Sequence, residues 1–361
     1  MDDLEKQELI SVVESGWFTE AKKTRKFERE FCKFVGCKYA CAVTSGTAGL
    51  YIALKAAGIK KNDEVIVPDF TFVASPNSIE EVGAKPILVD IEKKSLNLDL
   101  ELVEKSITKK TKAIMPVDFN GRSCDMKKLR KIARKNNLIL IEDAAHGLGC
   151  FHNKKHVGLH SDLAVFSFST PKIITTGQGG MIITNKKILY EKCKAIKDFG
   201  RKPNTKQHMR FAFQHPTIGY NYKFTEFQAA VGIAQMRKLR SRIKIKKNMF
   251  QRYRKLLSNI PTIEFVQTDL KSVTPWMMDI ILKSQKDRNN LINFLEVNNI
   301  ETRIFYPPIH KLQPYSKNHS KFFNTTEISE RGLWLPSSVT LKNKEIDLIC
   351  KYIRLFFKNY V

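Results

Sequence analysis

Short apolar runs and longer segments of helical spacing take turns along this chain. The runs at 39–43, 64–68, 86–90, 113–117, 138–142, 163–168 and 181–184 have strand length and are apolar almost throughout. That is the pattern of strands covered on both faces. Between the first five lie predicted helices at 48–57, 72–82, 100–107 and 126–136. Such alternation predicts an α/β fold with a mixed, mainly parallel sheet between helical layers. Residues 1–35 predict an amphipathic helical segment, broken at Trp17-Phe18-Thr19. A long helix at about 225–257 leads to a smaller C-terminal part. There the segments 280–282, 288–298, 301–304 and 345–357 predict an α+β unit. The expected division is a large domain over residues 1–238 and a small domain over 239–361, with no internal repeat.

Composition narrows the class. The chain has 361 residues, 42% of them hydrophobic, which suits two domains with a sizeable core and excludes disorder by composition. No apolar run reaches the length of a membrane span, and Met1-Asp2-Asp3-Leu4-Glu5 does not read as a signal peptide. The expectation is a soluble cytoplasmic protein. Its seven cysteines include no CxxC pair, so inert thiols are expected. The sequons Asn318-His319-Ser320 and Asn324-Thr325-Thr326 read as chance matches in a chain without a secretion signal.

Charge opens one alternative. The formal net charge is +26, with the densest basic stretch from Arg237 to Lys255. Apolar residues recur there at helical spacing, which predicts an amphipathic helix whose basic face, Lys246 included, is solvated. A nucleic-acid-binding protein is the rival function class. No zinc-finger spacing, RNA-binding aromatic motif or basic tail supports it, and a positive field would also draw in a doubly charged small substrate.

In open α/β sheets ligands bind beyond the carboxyl ends of the strands. Three polar groups fall there. Thr44-Ser45-Gly46-Thr47 follows the first strand and opens a helix, where free N–H groups and the helix dipole favour an anion, although the same letters also make an ordinary helix cap. Asp143 ends the strand Ile139-Leu140-Ile141-Glu142 and is followed by His146. A carboxylate there is costly without a partner; a helix cap and a core histidine are the plain readings. Lys172 lies in a polar loop between two strands, five residues after Ser167. It is either a chemical amine or one surface lysine among many. Phe72 is placed to stack on a flat ring or to pack in the core.

Taken in order, these sites resemble the DegT/DnrJ/EryC1/StrS family of sugar-nucleotide aminotransferases from about residue 25 to residue 355. The resemblance implies an aspartate aminotransferase-like fold (fold type I) and pyridoxal 5'-phosphate as cofactor. It implies that Lys172 forms a Schiff base with the cofactor and is the catalytic residue. Gly46, Thr47 and Ser167 would bind the phosphate, Asp143 the ring nitrogen, His146 the ring hydroxyl, and Phe72 the ring face. Gly219-Tyr220-Asn221-Tyr222 resembles the loop through which Asn221 reaches the neighbouring subunit's phosphate, so a homodimer with shared sites is implied. Arg303 and His310, in Arg303-Ile304-Phe305-Tyr306-Pro307-Pro308-Ile309-His310, would contact the sugar. Two positions depart from the family: Asp118, where a histidine is frequent, and Lys223, where arginine is usual.

The expected reaction is transamination of a GDP- or dTDP-linked 4-keto-6-deoxyhexose with glutamate as donor, giving a perosamine- or viosamine-type sugar. Transfer at C3 is the alternative within the family. A dehydratase is disfavoured because those homologues replace the lysine with histidine. No metal, nucleic acid or membrane is expected to take part.

Overall fold

A computed structural model describes residues 1–202, 214–316 and 322–360. The sequon at 318–320 lies outside them. In chain order the elements are α1 (Asp3–Ser15), α2 (Lys22–Val35), β1 (Tyr39–Val43), α3 (Gly46–Ala56), β2 (Glu64–Pro68), α4 (Ala74–Glu81), β3 (Lys85–Val89), α5 (Leu100–Lys105), β4 (Thr111–Ile114), α6 (Met126–Lys135) and β5 (Ile139–Asp143). A small hairpin follows, β6 (Phe151–His152) and β7 (Lys155–His156), then β8 (Leu163–Ser167), β9 (Gly180–Thr184) and α7 (Lys187–Lys197). The rest is α8 (Glu226–Leu257), β10 (Ile263–Glu264), β11 (Met278–Leu282), α9 (Gln285–Val297), β12 (Arg303–Ile304), α10 (Phe323–Arg331), β13 (Gly332–Leu335) and α11 (Asn343–Tyr360).

Seven strands form one sheet in the order β1-β9-β8-β5-β4-β2-β3. β8, β5, β4, β2 and β3 pair in parallel, while β9 runs antiparallel to both of its neighbours. The alternation of strand residues explains the unbroken apolar runs. Val65, Val67, Ala113 and Ile141 pack in one cluster with Leu50, Leu54 and Ile79 from α3 and α4. Ile66, Ile114 and Leu140 point the other way, onto Leu129, Ile132 and Ala133 of α6. Each such side chain contributes about 1.5–3 kcal/mol on burial, so the two-sided register resists slipping.

α8 starts in a capping box formed by Thr225 and Gln228 and runs 32 residues, straight through the expected boundary at 238/239. Its second half packs Met249, Phe250 and Tyr253 against the antiparallel sheet β10-β11-β13-β12, with α9 and α11. The expected solvated basic face holds at Arg237, Arg240 and Lys244. Lys246 is a correction: it is buried, and its amine donates to the carbonyls of Trp276 and Ser337. Its four-carbon stem points inward because the helix is gripped there from two sides. Two helices were not expected, α7 and α10. Asn324, in the second sequon, opens α10 and donates from Nδ2 to the Ile91 carbonyl at 2.7 Å. All seven cysteines are free thiols, Cys32 half-buried and the others buried.

Candidate active site

The parallel strands end on one edge of the large sheet, and β1 joins them because two antiparallel pairings restore its direction. Ser45 follows β1, Asp69 follows β2, Asp143 closes β5 and Ser167 closes β8. β9 begins at that same edge with Gly180. A Cβ at Gly180 would lie 2.5 Å from the Ser45 carbonyl oxygen, so only glycine lets β9 pass the turn that opens α3. A Cβ on Gly46 would lie 3.1 Å from the Ser167 Cβ, so the turn also sits against β8.

These residues enclose a cavity of about 310 Å³, lined among others by Gly46, Thr47, Phe72, Asp143, His146, Ser167 and Lys172, with Arg303 at the side of the small sheet. At the start of α3 the Ser45 hydroxyl accepts from the Ala48 N–H at 3.0 Å. The N–H groups of Gly46 and Thr47, in the first helical turn, have no acceptor within the helix. Among the described residues they are open to an anion, and the Ser167 hydroxyl stands beside Gly46.

Asp143 is 6% exposed. Its Oδ2 accepts from the Ser75 hydroxyl at 2.7 Å and its Oδ1 from the Ala145 N–H at 3.1 Å. Burial raises its pKa, opposed by those two hydrogen bonds and by the field of Lys172. The Lys172 amine is pushed down to about 7, by burial first and by Arg303, with Asp143 acting the other way. It sits 4.1 Å from the centroid of the Trp276 ring.

His146 stacks on Trp276 with ring centroids 3.9 Å apart. Its Nδ1 accepts from the Asn120 N–H at 3.3 Å. Burial and Lys172 hold it well below the usual histidine range, so the ring is neutral with its proton on Nε2. Phe72, half-exposed, meets Tyr306 at 5.3 Å.

The geometry fits pyridoxal phosphate. A cation-seeking carboxylate, a neutralisable amine and a free anion turn share one cavity, and each matches a different part of that molecule. A roomier cleft of about 1000 Å³ at the opposite ends of the strands is lined by Lys127, Arg130, Lys131, Arg134 and Lys155 and lacks this combination.

Two expected residues lie outside the cavity lining. His310 Nδ1 pairs with Asp69 Oδ2 at 2.7 Å, its backbone N–H donates to Asp69 Oδ1, and its ring stacks on Phe322. Asn221 is exposed and bridges backbone to Asp198. Its neighbour Lys223 pairs with the same aspartate, Nζ to Oδ1 at 3.2 Å. Asp118 is buried with Oδ2 unpartnered among the described residues, and burial together with Glu142 and Asp143 holds its pKa far up. Sequence reading missed Ser75, Asn120 and Trp276, and gave Tyr306 only as part of the segment Arg303–His310. Ser75 and Asn120 carry no motif of their own, and Trp276 comes from the linker before β11, more than a hundred residues from Lys172.

The model of the DegT/DnrJ/EryC1/StrS aminotransferase family matches residues 1–354. The chain is similar to the GDP-perosamine synthase of Vibrio cholerae, at 37% identity over 99% of this chain and 97% of that one. It is also similar to the GDP-perosamine synthase of Escherichia coli O157:H7, at 36% identity over 98% and 96% of the two chains. Its fold is that of Helicobacter pylori PseC, an aminotransferase involved in the biosynthesis of pseudoaminic acid, with a TM-score of 0.93, 25% identity, and 99% and 97% of the two chains covered.

Proposed function

The chain belongs to the pyridoxal-phosphate-dependent DegT/DnrJ/EryC1/StrS aminotransferase family, and on that premise we propose that it moves an amino group from glutamate to C4 of a nucleotide-linked 4-keto-6-deoxyhexose. The observation that carries the reading is the Lys172 amine, held down to about 7 beside the buried Asp143 carboxylate in one cavity. The C4 position and the GDP carrier are supported by the names of the relatives at 37% and 36% identity over nearly their full length.

Bound in this cavity, the cofactor supplies an aldehyde that exchanges amines and a ring that stores an electron pair. The chain supplies the rest. The N–H groups of Gly46 and Thr47 and the Ser167 hydroxyl hold the phosphate. Asp143, oriented by Ser75 and Ala145, keeps a proton on the ring nitrogen. His146 offers Nε2–H to the ring hydroxyl, and Phe72 covers the ring. The Lys172 amine holds the cofactor between turnovers. Once free, it would take the proton from the α carbon of the donor and deliver it to the cofactor carbon that bore the aldehyde, so that the donor leaves as a keto acid. Near neutrality it serves as both acid and base. Arg303, a cation at the cavity wall, takes an anionic group of the substrate.

A homodimer with shared sites is part of the proposal. Asn221 is exposed and free to reach a second copy, and Trp17, Phe18, Ile218 and Phe227 leave large apolar surface uncovered. Among the described residues no helix is long and apolar enough to cross a membrane; a cytoplasmic site of action is proposed with the reaction. Incubation with glutamate and a panel of 3-keto and 4-keto sugar nucleotides, carried on GDP or dTDP and read by mass spectrometry, tests the reading. Amination of a 4-keto substrate that disappears in Lys172→Ala is expected. Amination of 3-keto substrates alone would move the reaction to C3.

A further inference from the structure

Trp276 reaches the site from a linker that carries no motif. It is 2% exposed and lines the cavity. Its ring stacks on His146 and carries the Lys172 amine 4.1 Å from its centroid. Its Nε1–H donates at 2.7 Å to the carbonyl of Pro171, the residue before that lysine. From behind, the Lys246 amine donates to the Trp276 carbonyl at 2.7 Å. One side chain thus touches the reacting amine, the loop that carries it and the histidine beside it.

We propose that Trp276 is a positioning residue for Lys172: its Nε1–H fixes the loop at Pro171, and its ring face holds the amine in the cavity whenever the amine is not bonded to cofactor. The inference rests on the reading of Lys172 as the reacting amine. Its physical basis is the cost of a desolvated ammonium. Among the described residues no carboxylate stands within ion-pair distance of Lys172 Nζ, so the charged form must be held by weaker fields. The negative face of an indole is such a field, and it strengthens where water is excluded. Burial alone favours the neutral amine. The Arg303 charge adds to burial, the Asp143 carboxylate and the ring face oppose them, and both forms stay within reach near neutral pH, as a group that gives and takes one proton requires.

The test alters the ring's electrons while keeping its shape. The full chain is prepared with tryptophans carrying successively more fluorine and freed of cofactor. The pH at which Lys172 is half-labelled by acetic anhydride is then read by peptide mass spectrometry. The midpoint is expected to fall with each added fluorine, by about half a pH unit or more overall, as the cation loses its face. In Trp276→Phe, where Trp17 and Trp334 still carry fluorine, no such dependence is expected. A midpoint that ignores fluorine in the parent chain overturns the proposal, as does a dependence that persists in Trp276→Phe. If Trp276→Phe fails to fold, the series in the double variant Trp17→Phe/Trp334→Phe, where Trp276 is the one indole left to carry fluorine, decides: a midpoint that falls with fluorine supports the proposal, and one that ignores it overturns it. Borohydride reduction of the loaded parent protein separates the premises. A tag on a lysine other than Lys172 defeats the functional reading, whereas a tag on Lys172 with a fluorine-independent midpoint defeats only the role of Trp276.

Discussion

Asp143 and Lys172 are each expensive where they stand, and each is made useful by the other parts of the site. Asp143 is a carboxylate with two neutral donors and no ion-pair partner among the described residues. Replacing it with Asn keeps the shape and removes the charge that holds a proton on the ring nitrogen. Turnover in Asp143→Asn should fall on the order of a hundredfold or more with cofactor still bound, as for other losses of preorganised charge. Near-normal turnover would reduce Asp143 to a structural acceptor. Lys172 gives a prediction in stability. Burial holds its amine at about 7 in the folded chain, below the ordinary lysine value of 10.5. Between those values the unfolded chain binds more protons, so the contribution of this residue to stability rises with pH across that window. Below it the penalty for burying a charge is complete. Lys172→Met should therefore raise the melting temperature of the cofactor-free protein, and by more at pH 6.5 than at pH 9.5. An equal gain at both would mean that the amine is not depressed.

At the scale of elements, the site depends on the ends of β5 and β8, the start of β9 and the start of α3 meeting at one cavity. One close constraint lies where β9 crosses the opening turn of α3. Gly180→Ala would drive a methyl toward the Ser45 carbonyl oxygen, 2.5 Å away. Since both atoms belong to main-chain elements, relief requires moving the turn or the strand. A cost of about 1–3 kcal/mol in stability is expected, as for other overpacked interiors. Phosphate affinity should weaken more than this general loss, because the N–H groups of Gly46 and Thr47 move with the turn. Calorimetry with inorganic phosphate on the cofactor-free protein checks it. The lysine loop is braced from α8 as well: Arg242 donates to the Ile173 carbonyl at 2.9 Å, and Gln235 links that arginine to Glu5 of α1.

At the scale of the molecule, two properties lie beyond any single site. The first is assembly. If Asn221 serves a partner's cofactor, Asn221→Ala and Lys172→Ala are each inactive but complement one another. Co-refolded at equal amounts, about half of the dimers are mixed and hold one intact site, so roughly a quarter of parental activity should return. No recovery would place Asn221 beside its own chain's lysine. The second is charge. A net +26 should draw an anionic sugar nucleotide toward the cavity, and apparent second-order rates should fall as salt rises. Lys127, Lys131 and Arg134 in the cleft at the far ends of the strands belong to that same field. Salt-independent rates would leave the basic surface without a part in catalysis.

The sequence by itself determined the order of the seven strands of the large sheet and of the helices between the first five, because burial on both faces writes continuous apolar runs. It also placed the anion turn, Asp143 and Lys172 at strand ends, because ligands in such sheets gather there. Only the tertiary structure decided what surrounds them. The reversal of β9, the inward turn of Lys246, and the arrival of Ser75, Asn120 and Trp276 follow from contacts between segments far apart in the chain. No local periodicity records such contacts. His310 and Asn221 show the same limit from the other side: both carry a readable motif, yet Asp69 holds the first outside the cavity lining, and the second faces outward. Spacing tells which side of an element a residue occupies; what it meets there depends on how the elements pack.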